Sequence, residues 1–222
     1  MPILDRLRSL RARPGRFTSK GDVEMEYWRK RSEDEGTLRN AHYERFYTSS
    51  FGLTAADYAG KRVLDIGCGP RGTLEWADGA LERVGLDPLA EEYRRFGTDR
   101  QAMTYVAAGA EAIPFPDGHF DIVTAFNALD HVDDVDAAIG ELTRVARQEA
   151  TGLLLVEVNH APTVTEPHVL GWDLLDRFGG WRVVYEDRCA MGAGHNVYGS
   201  WEAREPWSAG PGLLGAKLER TE

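Results

Sequence analysis

The chain has 222 residues, which is enough for one domain of ordinary size with a single hydrophobic core. Its 26 Lys and Arg against 36 Asp and Glu give a net charge of −10, which argues against a long track of phosphate contacts and therefore against a nucleic-acid partner. Two cysteines predict no disulfide framework, and no apolar run is long enough to cross a bilayer. These features predict a cytoplasmic protein without a membrane partner and with a small molecule as its ligand.

The first fifty residues differ in composition from the rest. Residues 1–20 carry six basic side chains against one acid, and we interpret them as a solvated arm, with contact to an acidic partner as the alternative. Between Met25 and Phe51, aromatic residues recur among charges at roughly helical intervals, which predicts one or two helices. We assign 1–50 to an N-terminal arm and helical lid, and 51–222 to one domain.

From residue 61 onward, predicted strands alternate with predicted helices. Such alternation is typical of a mostly parallel sheet that is covered on both faces. The continuous apolar run 152–158 is typical of a central strand buried on both sides. The predicted strands are 61–65, 83–86, 104–106, 120–125, 152–158, 181–186 and 213–218, and the predicted helices are 72–77, 88–95, 134–147 and 169–178.

The run 63–72, VLDIGCGPRG, is the most informative segment of the chain. Gly67 and Gly69 allow a sharp turn and a close approach of backbone to a ligand, because no Cβ stands in the way. Together with Gly72 they also satisfy the spacing of the dinucleotide fingerprint, so the glycines alone leave two cofactor classes open. Asp65 favours a cationic amino-acid cofactor, because its carboxylate would repel a pyrophosphate at the turn.

This run resembles motif I of the class I methyltransferases that use S-adenosylmethionine, in their small-molecule, type 11-like branch. Residues 108–123, AGAEAIPFPDGHFDIV, are similar to a second segment of that family, and 125–134 are similar to the loop at the methionine end of its cofactor pocket. The resemblance covers 61–134. It implies an α/β fold, a Rossmann-like doubly wound seven-stranded sheet, mostly parallel with an antiparallel last strand, plus an N-terminal helical cap. It also implies S-adenosylmethionine as cofactor and S-adenosylhomocysteine as product.

Asp87 ends the second predicted strand, twenty residues after Gly67. A carboxylate at that place can accept hydrogen bonds from both ribose hydroxyls of an adenosyl ligand. Dinucleotide enzymes use an acid at the same place, so Asp87 does not choose between the two cofactor classes. A helix cap before Pro88 is the structural alternative.

The resemblance assigns further cofactor contacts to the loops after the third and fourth strands. Gly109 stands where the family usually has an Asp that accepts from the adenine amino group. The base would then be held by main chain at Ala110 and Glu111, or by Glu111 itself, and Asn127 would face the methionine group. The expected cofactor-binding residues are Asp65, Gly67, Cys68, Gly69, Asp87, Pro88, Ala110, Glu111 and Asn127.

His131 is the candidate general base, since many relatives carry a His at this place. A base would add about 10² to 10⁴ in rate if the acceptor is a hydroxyl or a protonated amine. Asp130 is expected to orient the imidazole and raise its basicity. Packing at the mouth of the cofactor pocket is the alternative for His131.

Two further sets of side chains are candidates for substrate contact. The polar residues Glu157, Asn159, His160, Glu166 and His168 follow the fifth strand, where substrate contact, loop structure and a divalent metal all stay open. Their spacing does not match a compact zinc pattern, so we assign no metal. Aromatic residues of the lid and of 191–207 would suit a planar or apolar acceptor, with core packing as the alternative. The expected substrate contacts are Tyr27, Tyr43, Tyr47, Asn159, His160, His168 and His195.

The sequence therefore predicts an enzyme that transfers methyl from S-adenosylmethionine to an O, N or C atom of a small molecule. The excess of Arg over Lys, 22 to 4, suggests a specialised metabolite by analogy alone. The alternatives are an NAD(P)-dependent oxidoreductase and a non-catalytic S-adenosylmethionine-binding protein. The sequence does not predict the oligomeric state.

Overall fold

A computed structural model describes residues 19–38, 40–194 and 196–221. Seven strands form one sheet in the order β3-β2-β1-β4-β5-β7-β6. They are β1 (Arg62–Ile66), β2 (Glu82–Leu86), β3 (Thr104–Val106), β4 (Phe120–Phe126), β5 (Ala146–Val158), β6 (Trp181–Ala190) and β7 (Gly212–Arg220). Strands β1 to β5 pair in parallel, and β7 runs antiparallel between β5 and β6. This confirms the predicted doubly wound sheet with an antiparallel last strand.

Helices are short in most of the described chain. The α-helices are α1 (Lys20–Glu35), α2 (Glu44–Tyr47), α3 (Val135–Val145) and α4 (Val197–Ala203), and the 3-10 turns are Ser49–Phe51, Ala55–Tyr58, Glu92–Phe96, Thr98–Arg100 and Leu174–Arg177. Ser19 and Asp22 form a capping box that starts α1, and Asp134 caps α3 through the backbone N–H of Ala137. Among the described helices, none is long and apolar enough to span a membrane.

Three predicted crossover helices are wrong or shortened. Residues 72–77 form turns, and the predicted helices 88–95 and 169–178 are reduced to 3-10 turns. After β1, the indole of Trp76 donates to the carbonyl of Thr73, so a side chain takes an acceptor that a helix would offer to its own backbone. The glycines and proline of this connection also disfavour a helix. The connection therefore crosses between strands without a regular helix.

The sheet separates two hydrophobic clusters. Because side chains alternate along a strand, Val63 and Leu155 face one cluster, and Leu64 and Leu154 face the other. Helix α3 covers the second face through buried residues such as Leu142. The first face is covered by aromatic residues, namely Tyr43, Phe46, Tyr47, Phe51, Tyr58 and Trp201. These rings cover the face on which residues 72–77, predicted as a helix, form turns.

Candidate functional site

The glycine turn at the end of β1 contacts the loop after β4 and helix α1. Gly67 and Gly69 have φ angles of 69° and 56°, a region that residues with a Cβ rarely adopt. A Cβ on Gly67 would lie 2.5 Å from the Cβ of Ala128, and a Cβ on Gly69 would lie 2.8 Å from Cζ2 of Trp28. Side chains of the protein itself therefore pack closely against the backbone of the turn at both positions.

Asp65 lies beneath the turn and is fully enclosed. Its carboxylate accepts hydrogen bonds from the hydroxyls of Tyr47 (3.0 Å), Thr124 (2.6 Å) and Thr73. Burial raises the pKa of Asp65 to about 6, and these three hydroxyls oppose the shift by stabilising the anion. Asp65 is consequently ionised at neutral pH, and it supplies negative charge below the turn while anchoring Tyr47.

Asp87 ties the second strand to the glycine turn. Its Oδ2 accepts from the backbone N–H of Gly69 at 3.2 Å, and its Oδ1 accepts from the N–H of Leu89 at 2.9 Å. Burial raises the pKa of Asp87 to about 6 against these two hydrogen bonds. The carboxylate lies at the carboxyl edge of the sheet, where ligands bind in open α/β folds.

The side chains of Cys68 and Ala110 face the protein interior. The Sγ of Cys68 would lie 2.6 Å from a Cβ on Gly85, so the thiol packs against β2, and burial raises its pKa well above the usual range. Ala110 belongs to the hydrophobic cluster that α3 covers. At these positions, contact with a ligand would have to involve main chain.

Glu111 holds the loop after β4 in place. Its Oε1 accepts from the backbone N–H groups of Asp133 (2.7 Å) and Asp134 (3.2 Å), next to the start of α3. Its Oε2 lies 2.8 Å from the position of a Cβ on Gly109. The Glu111 side chain therefore occupies the space that a larger residue at 109 would need, which gives a physical reason for the glycine there.

Helix α1 lies over the glycine turn. Trp28 contacts Gly69 and packs edge-on against Tyr93. Glu35 accepts two hydrogen bonds from the guanidinium of Arg71, at 2.6 and 2.8 Å, and this partner lowers the pKa of Glu35. The helix thus contacts the turn at two points along its length.

A group of five side chains, which we call the acceptor-end cluster, lies beyond the turn. Its members are Glu24, Asp130, His131, His160 and Glu166. The Nδ1 of His131 lies 3.4 Å from Oε1 of Glu24, and its Nε2 lies 3.9 Å from Oε1 of Glu166. Burial lowers the pKa of His131, but Asp130, Glu24 and Glu166 outweigh burial and raise the pKa to about 9. His131 therefore carries a proton at neutral pH in this arrangement.

Asp130 is the most enclosed member of the cluster. It is 0% exposed, burial raises its pKa, and neither carboxylate oxygen has a hydrogen-bond partner among the described residues. Its Oδ2 lies 3.9 Å from Nε2 of His160, and this ring nitrogen also has no hydrogen-bond partner among the described residues. The carboxylates nearest the imidazole nitrogens of His131 are thus Glu24 and Glu166, whereas Asp130 faces His160.

Two asparagines mark the ends of neighbouring strands. Asn127 follows β4 with φ 52°, and Asn159 follows β5 with φ 59°. Their backbone N–H groups donate to the carbonyls of Leu155 and Leu170. The amide nitrogen of Asn127 lies 3.5 Å from Nε2 of His131. Asparagine tolerates the left-handed region better than most residues, so both strands bend where the cluster begins.

The structure separates the expected substrate contacts into different surroundings. Tyr43 and Tyr47 are buried in the aromatic cluster, and Tyr27 is half-buried and accepts a hydrogen bond from Arg31. His168 contacts the carbonyl of Val132 through Nε2 at 2.9 Å. His160 belongs to the acceptor-end cluster, Pro88 lies in the turn after β2, and His195 lies outside the described residues.

Sequence reasoning placed Trp28 among the lid aromatics but did not identify Glu24 or the Glu35–Arg71 pair. Glu24 is one of several acids on α1, and no spacing in the sequence distinguishes it from its neighbours. Trp28 was part of a predicted helix, but its contact with Gly69 depends on how that helix packs. These contacts follow from tertiary structure alone.

Residues 64–154 match the family model described as a methyltransferase domain. A demethylmenaquinone methyltransferase of Thermobifida fusca is 31% identical over 141 residues, which cover 59% of this chain and 58% of that protein. A malonyl-[acyl-carrier protein] O-methyltransferase of Enterobacter lignolyticus is 38% identical over 87 residues, 39% of this chain and 35% of that protein. The chain therefore spans little more than half the length of the first of these curated relatives and about a third of the second.

The fold is shared with solved structures of low sequence identity. The YcgJ protein of Bacillus subtilis superposes with a TM-score of 0.56 at 20% identity, covering 78% of this chain and 99% of that one. The residues matched by the family model, 64–154, include most of β1, all of β4 and most of the loops that form the site described above. Residues 64–154 therefore carry the methyltransferase domain of the type 11 kind, which supports a class I S-adenosylmethionine-dependent methyltransferase.

Proposed function

We propose that the protein transfers a methyl group from S-adenosylmethionine to an O, N or C atom of a small molecule. The observation that carries the proposal is the junction of Asp87 with the glycine turn, 3.2 Å from the N–H of Gly69. The acceptor-end cluster adjoins this junction across Ala128, which contacts Gly67. A donor pocket and a polar acceptor region would then share one sheet edge.

The residues present fit this cofactor in charge and in backbone shape. Asp87 offers two carboxylate oxygens, and two glycines leave the turn without side chains. Asp65 adds a second negative charge for a cofactor that carries a sulfonium and an ammonium group. When bound, the cofactor supplies an electrophilic methyl group. We propose the full cofactor-binding set of the sequence analysis, with main-chain contact at Cys68 and Ala110.

Positioning would supply most of the acceleration. Holding acceptor, methyl and sulfur in line can contribute roughly 7 to 11 kcal/mol. His131 and Asp130 are our proposed catalytic residues. His131 would position the acceptor, and the surrounding carboxylates would receive the proton that the acceptor releases. The role of His131 as a general base stays a prediction, because its ring must first lose the proton that its neighbours hold there.

The acceptor is proposed only by class. The names of two relatives refer to demethylmenaquinone and to malonyl-[acyl-carrier protein], so similarity to these relatives does not select one acceptor. A net charge of −10 supports a small or neutral acceptor over nucleic acid, and we propose a specialised metabolite acted on in the cytoplasm. Mass spectrometry of cell extract incubated with the protein and methyl-labelled cofactor would identify the product.

Calorimetric titration with S-adenosylhomocysteine tests the donor pocket. We expect binding to the native chain, and Asp87→Ala should weaken it at least tenfold because the ribose hydroxyls lose their acceptor. Asp117→Ala is the matched control, since Asp117 is exposed and bonded to Arg144. Tight binding of NADH with no binding of S-adenosylhomocysteine would instead establish the oxidoreductase alternative.

A further inference from the structure

We propose that the acceptor-end cluster binds a divalent transition-metal ion through Asp130, His131 and Glu166. One ligand atom from each residue lies within 4.8 Å of the other two. Metal bonds of about 2.0–2.2 Å place ligand atoms roughly 3 to 3.5 Å apart. Small side-chain rotations would therefore be enough to close the three atoms around an ion.

The topology of the sheet brings these residues together. Asp130 and His131 lie in the loop after β4, and Glu166 lies in the loop after β5. The two strands are parallel neighbours, so both loops leave the sheet at the same edge. No compact sequence spacing is needed for such a site, which is why the absence of a zinc-like pattern in the sequence does not argue against it.

The unsatisfied atoms of Asp130 and His160 point to a cation independently of this geometry. His160 Nδ1 lies 3.0 Å from the carbonyl oxygen of Ala161, which can only accept, so Nδ1 carries a proton. In the neutral ring, Nε2 then presents a lone pair 3.9 Å from Oδ2 of Asp130. When the Asp130 carboxyl is ionised, two buried acceptors face each other with no donor among the described residues, and a bound cation would remove the free-energy cost of that arrangement.

The mixture of donor atoms favours a transition metal over magnesium or calcium. Imidazole nitrogen suits zinc, iron, nickel and copper, whereas sites made only of oxygen suit the hard cations. The hydrogen bond from His160 to a backbone carbonyl is also the arrangement that holds metal-binding histidines in one tautomer. His160 would thus be oriented to approach the ion or to support Asp130 beside it.

Charge balance supports the same conclusion. Glu24, Asp130 and Glu166 bring three carboxylates to one region, with His131 and His160 as its imidazoles. To bind the ion, His131 would release the ring proton that it carries, and the divalent ion would take the place of that positive charge among the three carboxylates. If the protein also catalyses the proposed methyl transfer, the ion would bind an oxygen atom of the acceptor. This role of the ion, unlike its binding, rests on the proposed function.

Binding of Co²⁺ and Zn²⁺ to the chelator-treated full chain tests the site. We expect one ion per chain, with visible absorption bands for Co²⁺ that report nitrogen and oxygen ligands. Asp130→Asn and Glu166→Gln should each weaken binding at least tenfold. Glu166 is partly exposed, so its variant keeps the test valid if the buried substitution fails to fold.

His119 and Glu82 provide a matched control pair. They form another imidazole–carboxylate contact, at 2.7 Å, at the amino ends of β2 and β4 and thus at the opposite edge of the sheet. His119→Gln and Glu82→Gln should leave Co²⁺ affinity unchanged. Asp87→Ala should also leave it unchanged, so that failure of the metal site and failure of the cofactor pocket can be told apart. Absence of stoichiometric binding, or unchanged affinity in Glu166→Gln, would overturn the proposal.

Discussion

Two carboxyl groups at this sheet edge have pKa values that are raised toward physiological pH. Asp65 and Asp87 both have a pKa of about 6, because burial disfavours their charged forms. Their roles differ in the structure. Asp65 bonds three hydroxyls of the protein, whereas the two oxygens of Asp87 accept from backbone N–H groups next to the glycine turn.

Binding of S-adenosylhomocysteine should therefore depend on pH through Asp87. The carboxylate is ionised above about pH 6, and protonation removes an acceptor as pH falls through that value. We expect affinity measured by calorimetry to fall about tenfold between pH 7 and pH 5. Asp87→Asn should bind S-adenosylhomocysteine weakly, with an affinity that does not change between pH 7 and pH 5. A pH dependence that persists in this variant would assign the effect to Asp65.

At the scale of elements, α1 contacts both the glycine turn and the acceptor-end cluster. It meets Gly69 through Trp28, Arg71 through Glu35, and His131 through Glu24. We propose that this helix acts as the lid over the donor pocket. A cofactor that contacts Gly69 must either displace the Trp28 ring or pack against it.

Glu35→Gln tests the lid by weakening its attachment to Arg71. We expect faster association and faster dissociation of S-adenosylhomocysteine, because the charged hydrogen bonds that hold α1 over the turn are lost. Stopped-flow fluorescence measures both rates. Glu33→Gln lies on the same helix and serves as the control, since Glu33 pairs with Arg29 one turn away on α1. Equal rates in native protein and Glu35→Gln would contradict a lid at this position.

Strands were predicted better than helices, for a local reason. The third strand, 104–106, has the predicted bounds, and its residues Thr, Tyr and Val are all of the β-branched or aromatic kinds that are enriched in strands. The helix predicted over 72–77 failed because Trp76 and Arg83 bond nearby backbone carbonyls in place of the next helical turn. The pairing of Asp130 with His160 could not be predicted, since it requires two loops thirty residues apart to meet.

At the scale of the whole molecule, aromatic residues before β1 belong to the same core as the sheet. Phe46 and Tyr47 are each 1% exposed, and Tyr47 stacks near Phe126 of β4 with ring centroids 4.4 Å apart. The proposed division of the chain at residue 50 passes through this cluster. Stability of the sheet is therefore coupled to residues 43–51.

Phe46→Ala should destabilise the whole fold and not only the N-terminal segment. Removing a buried phenylalanine costs about 3 to 5 kcal/mol, and we expect a single urea transition shifted by that amount. Val184→Ala, at a position that is 39% exposed, should change the free energy of unfolding by less than about 0.5 kcal/mol. Two separate transitions in Phe46→Ala would show that residues 1–50 fold independently.

The left-handed asparagines after β4 and β5 have a consequence for engineering. Asn127 and Asn159 fix the direction in which two adjacent loops leave the sheet, and between them these loops carry Asp130, His131 and Glu166. Loops of other sequences and lengths could be grafted between these bends and α3 or β6, provided that asparagine or glycine stays at both positions. Acceptor preference would then become exchangeable as a module, while the donor half of the protein remains as it is.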